Sequence, residues 1–309
     1  MSTRHRSHPV KPGVRTAPMP QPVLVAVAHG SADPRACDTI GKLMAMVAER
    51  APGLDVRTAY LSHALPSLPQ VMTAIDPSRP VTVVPLLLTA AYHSKAGIPP
   101  ILARFPRPHV RYGAPLGPHP LLLPVLERRL AQADPGAFED PARTGVVLAA
   151  AGSSDPDANV AIARLGARWQ AHAGWFATRP AYASAASPDP AAAVTSLLRD
   201  GAPRVAVVTY LLAPGSFADR IRDSSLAAGA AAVSPPLGAS AEVAQVILDR
   251  FLAARADHRS SYQPDLRDTP SHRGEYDVRR HQVPSGAGPA CRAVLRGRTR
   301  CRDGPSRPL

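Results

Sequence analysis

With 309 residues, 45% of them hydrophobic and 19% charged, the chain has the composition of a soluble globular protein and the length for two modest domains. Its formal net charge of +13 would suggest nucleic acid, but four basic residues and no acid fall in residues 1–22, eleven arginines against five acids fall in residues 258–309, and only +3 remains on residues 23–257. That placement argues against a specific nucleic-acid surface, and no apolar run approaches the ~18 residues a membrane span needs.

Residues 1–21 are basic and poor in apolar side chains, a composition that cannot offset the entropy of ordering and so predicts a disordered tail. The first strand is predicted at 23–28, VLVAVA, closed by His29 and followed by Gly30-Ser31-Ala32-Asp33-Pro34. Behind its basic leader this run resembles a signal peptide, but it is shorter than the roughly 7–15 apolar residues expected, and cleavage would delete a core strand. Asp33-Pro34 predicts a helix start, with Asp as N-cap and Pro in the first turn. A further apolar strand is predicted over 81–88, running on through TAAY to His93. The segment DPGAFEDPART at 134–144 reads as the connector between a first domain, 22–138, and a second, 145–256. The second domain has predicted strands at 146–151 and 205–212 and a helix start at Asp155-Pro156. Residues 257–309 return to Pro, Gly, Ser and Arg and predict another disordered tail. Cys37, Cys291 and Cys301 offer neither a disulfide framework nor zinc spacing, as expected of a cytoplasmic protein.

The two halves repeat each other. Gly30 aligns with Gly152, Asp33-Pro34 with Asp155-Pro156, and Ala59-Tyr60 with Ala181-Tyr182, all at an offset of 122. The run from Val81 aligns with that from Val205 at 124, and Pro115-Leu116-Gly117 with Pro236-Leu237-Gly238 at 121. Near-continuous Val, Leu and Ala runs suit strands buried on both faces of a parallel sheet. Alternation of such runs with helices predicts an α/β fold of two tandem, doubly wound parallel-sheet domains related by duplication.

Ligands of such sheets bind beyond the carboxyl ends of the strands, where the strand order reverses, which in the simplest order lies between the first and third strands. His29 closes the first strand and His93 follows the third. Either imidazole alone reads most simply as a satisfied buried side chain. Two at the one place the fold expects a ligand could bind a divalent transition metal or accept protons near neutral pH. Ser31 and Ser153 stand at helix starts, where they could meet anions or serve only as caps. Tyr92 and Lys95 flank His93 and could touch a carboxylated substrate or pack in the loop. The remaining histidines fall in the tails or, for His63, His109, His119 and His172, at expected loop and surface positions. There is no G-x-G-x-x-G after the first strand, no Walker motif and no G-x-S-x-G elbow.

At these residues the sequence resembles the sirohydrochlorin chelatase family, the cobalt- or iron-inserting class II chelatases. The resemblance rests on His29-Gly30-Ser31-Ala32-Asp33-Pro34, against a strand ending in HGS-x-x-P. It rests also on Ala90-Ala91-Tyr92-His93-Ser94-Lys95-Ala96-Gly97-Ile98-Pro99, against a G/A-x-x-H-x-x-x-D-I-P-like segment. It covers about residues 22–254 and is fainter in the second half. It implies insertion of a divalent metal, Co2+ or Fe2+, into sirohydrochlorin for sirohaem or a cobalt corrinoid. His29 and His93 would bind the metal and accept protons. No nucleotide or redox cofactor is expected, since metal-for-proton exchange requires none, and a monomer is expected. Two departures stand out: a glutamate frequent in the family is missing from Leu61-Ser62-His63-Ala64-Leu65, and Gly97 stands where an acid is common. A non-catalytic metal- or tetrapyrrole-binding protein of the same fold is the alternative, separated from the enzyme by turnover.

The repeat also predicts an asymmetry. Ala151 stands opposite His29 and Phe217 opposite His93, so a single metal site is expected, in the first half. Phe217 would offer the macrocycle an aromatic face or, on the plainer reading, fill core.

Overall fold

Alternate residues of the predicted strands face opposite ways, and in the computed structural model both ways lead into core. The structure describes residues 21–90, 97–105 and 109–257; the predicted tails apart from Gln21 and Asp257, and Tyr92, His93 and Lys95, lie outside the described residues. In β1 (Val23–Ala28), Leu24, Ala26 and Ala28 pack into one core while Val23, Val25 and Val27 pack into another. Burial on both faces is why the strand carries no polar residue.

The first half continues through α1 (Pro34–Arg50), β2 (Asp55–Tyr60), α2 (Leu68–Thr73), β3 (Val81–Pro85), α3 (Ile98–Ala103), β4 (Val110–Tyr112) and α4 (Leu122–Ala133). The second half repeats the order as β5 (Thr144–Ala150), α5 (Pro156–Ala173), β6 (Ala177–Tyr182), α6 (Pro190–Arg199), β7 (Arg204–Tyr210), α7 (Ser216–Ala227), β8 (Ala232–Val233) and α8 (Ala241–Ala256). The sheets are parallel, with strand orders β2-β1-β3-β4 and β6-β5-β7-β8. Strand order therefore reverses between β1 and β3 and between β5 and β7, as the doubly wound reading expects. Asp33 and Asp155 cap α1 and α5, accepting from the N–H of Arg35 and Asp157, with proline in each first turn. The run at 81–88 ends as a strand at Pro85, three residues short of expectation. Proline has no N–H to donate to the ladder, and the chain turns off the sheet after Leu86 N donates to Val27 O at 2.7 Å.

The last helix of each half serves the other half. The principal sheet contacts of α4 are with β7 and β8, while α8 lies on β3, β4 and α1. The bonds are reciprocal to the residue: Arg129 of α4 donates to Leu237 O (3.1 and 2.9 Å), and its repeat partner Arg250 of α8 donates to Leu116 O (3.3 Å). Trp169 Nε1 donates to Glu127 (3.1 Å), Arg204 pairs with buried Asp134, and Arg111 donates to Ala254 O and Asp257 O at the end of α8 (3.1 and 2.9 Å). Arg128 grips Glu242 with two bonds, 2.6 and 2.9 Å, joining α4 to α8. Tyr210, 1% exposed, donates to Leu88 O across the seam at 3.2 Å. The inner faces of both sheets and α1, α4, α5 and α8 thus share one core, with α2 and α3 outside the first sheet and α6 and α7 outside the second. No helix among the described residues is long and apolar enough to cross a membrane.

Candidate functional site

His29 is the first residue past β1, exposed, at the edge of the first sheet where strand order reverses. Its carbonyl accepts from Ser62 N at 2.9 Å and from Ser62 Oγ at 3.2 Å, and that hydroxyl lies 3.5 Å from the ring Nδ1. The close approach depends on Gly30. Its φ is +94°, and a Cβ there would stand 1.7 Å from Ser62 O, so any other residue would drive the loop after β2 away.

The second half rebuilds the same device. Gly152 has φ +85° and would place a Cβ 1.9 Å from Ser184 O; Ser184 donates to Ala151 O through N (2.9 Å) and Oγ (3.1 Å). The scaffold is duplicated down to its hydrogen bonds, and the imidazole is not. Ser31 Oγ accepts from Asp33 N (3.1 Å) and Ser153 Oγ from Asp155 N (3.0 Å), so each hydroxyl first holds its own turn.

The two halves meet in front of this loop. The Ser31 hydroxyl lies 3.8 Å from where a Cβ on Gly215 would stand, just ahead of α7. Arg35 of α1 bridges Asp33 and Asp219 of α7, each at 2.6 Å, and Arg222 pairs with Asp219 (3.4 Å) and Asp223 (3.0 Å). Arg35's hydrogen bonds hold the carboxyls of Asp33 and Asp219 below the usual carboxylate range. Phe217, in the first turn of α7, keeps 36% of its surface exposed, and the Arg220 guanidinium lies 5.3 Å from its ring centroid.

His29, Ser31 and Phe217 are therefore carried by elements that meet at one seam. Tyr92, His93 and Lys95 lie outside the described residues; β3, from which their segment departs, is paired to β1 with Val27 opposite Pro85. Among the described residues no group of three or more His, Cys, Asp or Glu side chains is placed to hold a metal ion. Sequence reasoning reaches Ser62 only as part of the Leu61–Leu65 window that lacks the family's glutamate, and misses Arg35, Asp219 and Arg220. Ser62 and Asp219 gave no local signal, whereas Arg220 follows Phe217 at the i, i+3 spacing of helical neighbours.

A family model described as CbiX matches residues 23–133 and, a second time, residues 145–254. The chain belongs to the CbiX family. Both copies of the repeat are CbiX units, although only the first carries His29. Sirohydrochlorin cobaltochelatase of Priestia megaterium is 29% identical over 204 residues, spanning 64% of this chain and 66% of that protein. Sirohydrochlorin ferrochelatase of the same organism is 27% identical over 206 residues, 64% of this chain and 75% of that protein. The chain thus matches slightly under two thirds of the cobaltochelatase's length. SirB from Bacillus subtilis with Fe3+ superposes with a TM-score of 0.66 at 22% identity, over 79% of this chain and 99% of that one, a likeness of fold.

Proposed function

We propose that this CbiX-family chain inserts a divalent ion, cobalt or iron, into sirohydrochlorin, acting as a monomer in the cytoplasm. The observation that carries the reading is the placement of His29: an exposed imidazole at the reversal point of the first sheet, in the loop whose Ser31 approaches Gly215 of the second CbiX unit. The names of the relatives supply the substrate and both metals.

On this reading His29 and His93 hold the incoming ion while the macrocycle lies in the seam, with Ser31, Tyr92 and Lys95 toward its polar edge and Phe217 against its face. Insertion exchanges two pyrrole N–H protons for one M2+, so charge balances without oxidation and neither a redox cofactor nor a nucleotide is called for. An imidazole not engaged by metal is a suitable acceptor for a departing proton near neutral pH. Because one chain supplies both walls of the seam, a monomer suffices.

The test is insertion followed by the macrocycle's absorbance. His29→Ala should lower the rate roughly a hundredfold with an unchanged melting temperature, since an exposed strand-end side chain contributes little packing. Near-normal turnover in that variant would overturn the assignment. One observation favours the carrier alternative: at the Leu61–Leu65 window, where the family often has a glutamate, the hydroxyl that approaches the His29 ring is that of neutral Ser62, which cannot take a proton from a pyrrole. A carrier binds metal or macrocycle stoichiometrically and shows no multiple turnover.

A further inference from the structure

The second half keeps the loop that presents His29 but puts Ala151 in its place, and an arginine reaches the end of the neighbouring strand. Arg220 leaves α7, which follows β7, and its Nη1 comes within 3.5 Å of Ala183 O, the first residue past β6. Since the strand order is β6-β5-β7, the side chain reaches across the carboxyl end of β5. Ala183 N is itself bonded to Ala150 O at 2.9 Å, which fixes that carbonyl at the sheet edge.

The neighbouring charges are already matched. Asp219 is engaged by Arg35 and Arg222, and Asp223 by Arg222. Among the described residues no carboxylate forms an ion pair with Arg220. The residue is exposed, and among the described residues its guanidinium lies over the Phe217 ring and makes one long hydrogen bond, to a neutral carbonyl. A cation–π contact with an aromatic face restrains the guanidinium while leaving N–H groups open to a carboxylate.

We propose that Arg220 is a specificity-determining residue: held over Phe217 near the carboxyl end of β5, it binds a side-chain carboxylate of the macrocycle and fixes the substrate's orientation toward His29. The inference rests on the proposed function, because it takes the substrate to be a carboxylated tetrapyrrole. The second half then has its own role at the reversal point of its sheet. It reads the acid periphery of the ring, and the first half handles the metal.

The experiment titrates metal-free sirohydrochlorin into the intact protein and into Arg220→Ala and Arg220→Lys, followed by macrocycle absorbance at several salt concentrations. Arg220→Ala should raise Kd about tenfold, the loss of roughly one charge-assisted hydrogen bond, and should flatten the salt dependence. Arg220→Lys should recover part of the affinity. The same macrocycle esterified at its carboxylates should bind wild type and Arg220→Ala alike, while Co2+ affinity without macrocycle and the melting temperature stay unchanged. Equal Kd for wild type and Arg220→Ala within twofold, or an equal loss for acid and ester, would overturn the proposal. A wild-type protein that neither binds nor metallates sirohydrochlorin would overturn the functional reading beneath it, and that outcome is seen before any substitution is made.

Discussion

Gly30 and Gly152 are a matched pair in which the same backbone strain has different consequences. Each holds a positive φ and lies where a Cβ would enter the carbonyl of Ser62 or Ser184. Alanine at either position should therefore destabilise by about 1–3 kcal/mol, through strain and displacement of the facing loop. Only Gly30→Ala also moves an imidazole. We expect it to cut the insertion rate at least tenfold beyond what its melting temperature explains, with Gly152→Ala losing stability to a similar degree and much less rate. Equal rate losses in the two variants would mean that the first half has no privileged chemistry. A glycine after a strand-terminal histidine is visible in the sequence as a tight turn. Its partner Ser62 lies more than thirty residues away, and no local pattern marks it.

For the elements, periodicity and caps predict that helices form but not which sheet they cover. The apolar faces of α4 (Leu122, Val125, Leu126, Leu130) and α8 (Val243, Ile247, Phe251) would suit either inner sheet face. The choice falls to directional contacts such as Arg129 to Leu237 O, Arg250 to Leu116 O and the Arg128–Glu242 pair. The hydrogen bonds of Arg128 lower the Glu242 carboxyl from its ordinary 4.5 to about 2. A depressed carboxyl contributes stability that is complete above the unfolded-state value and is lost as pH falls through the folded-state value. The pair should thus stabilise at neutral pH by about 0.5 kcal/mol, modest because both partners are partly exposed. Glu242→Gln should melt slightly below wild type at pH 6, and the difference should close between pH 4.5 and pH 2. Asp33, Asp55 and Asp219, also held low, titrate in both proteins and leave the comparison intact. A gap independent of pH would show that Glu242 acts through packing rather than charge.

At the scale of the whole molecule, exchanged helices make two repeats into one cooperative body. Residues 22–138 alone would lose the α8 cover of β3 and β4 and expose the α4 face that belongs on β7 and β8; residues 140–257 would suffer the converse. We expect each fragment alone to be unfolded or aggregated by circular dichroism and gel filtration, and co-expression to restore a soluble complex with a single melting transition. Two independently folded, monomeric fragments would contradict the shared core. The same joining brings the loop after β1 against the start of α7, so the seam exists only when both halves are present.

The sequence by itself determined the duplication, the doubly wound parallel sheets, the capped starts of α1 and α5 and the position of His29 at a strand end. Each of these follows from short-range patterning, from apolar runs buried on both faces or from offsets between repeats. Only the tertiary structure decided that α4 and α8 trade sheets, that Ser62 closes on His29, that Arg35 and Asp219 bridge the seam, and that Arg220 reaches past Phe217 to the end of β6. Those contacts join residues that are distant in sequence or that depend on which of two chemically similar sheet faces a helix meets. Packing and hydrogen-bond geometry, rather than residue type, make that choice.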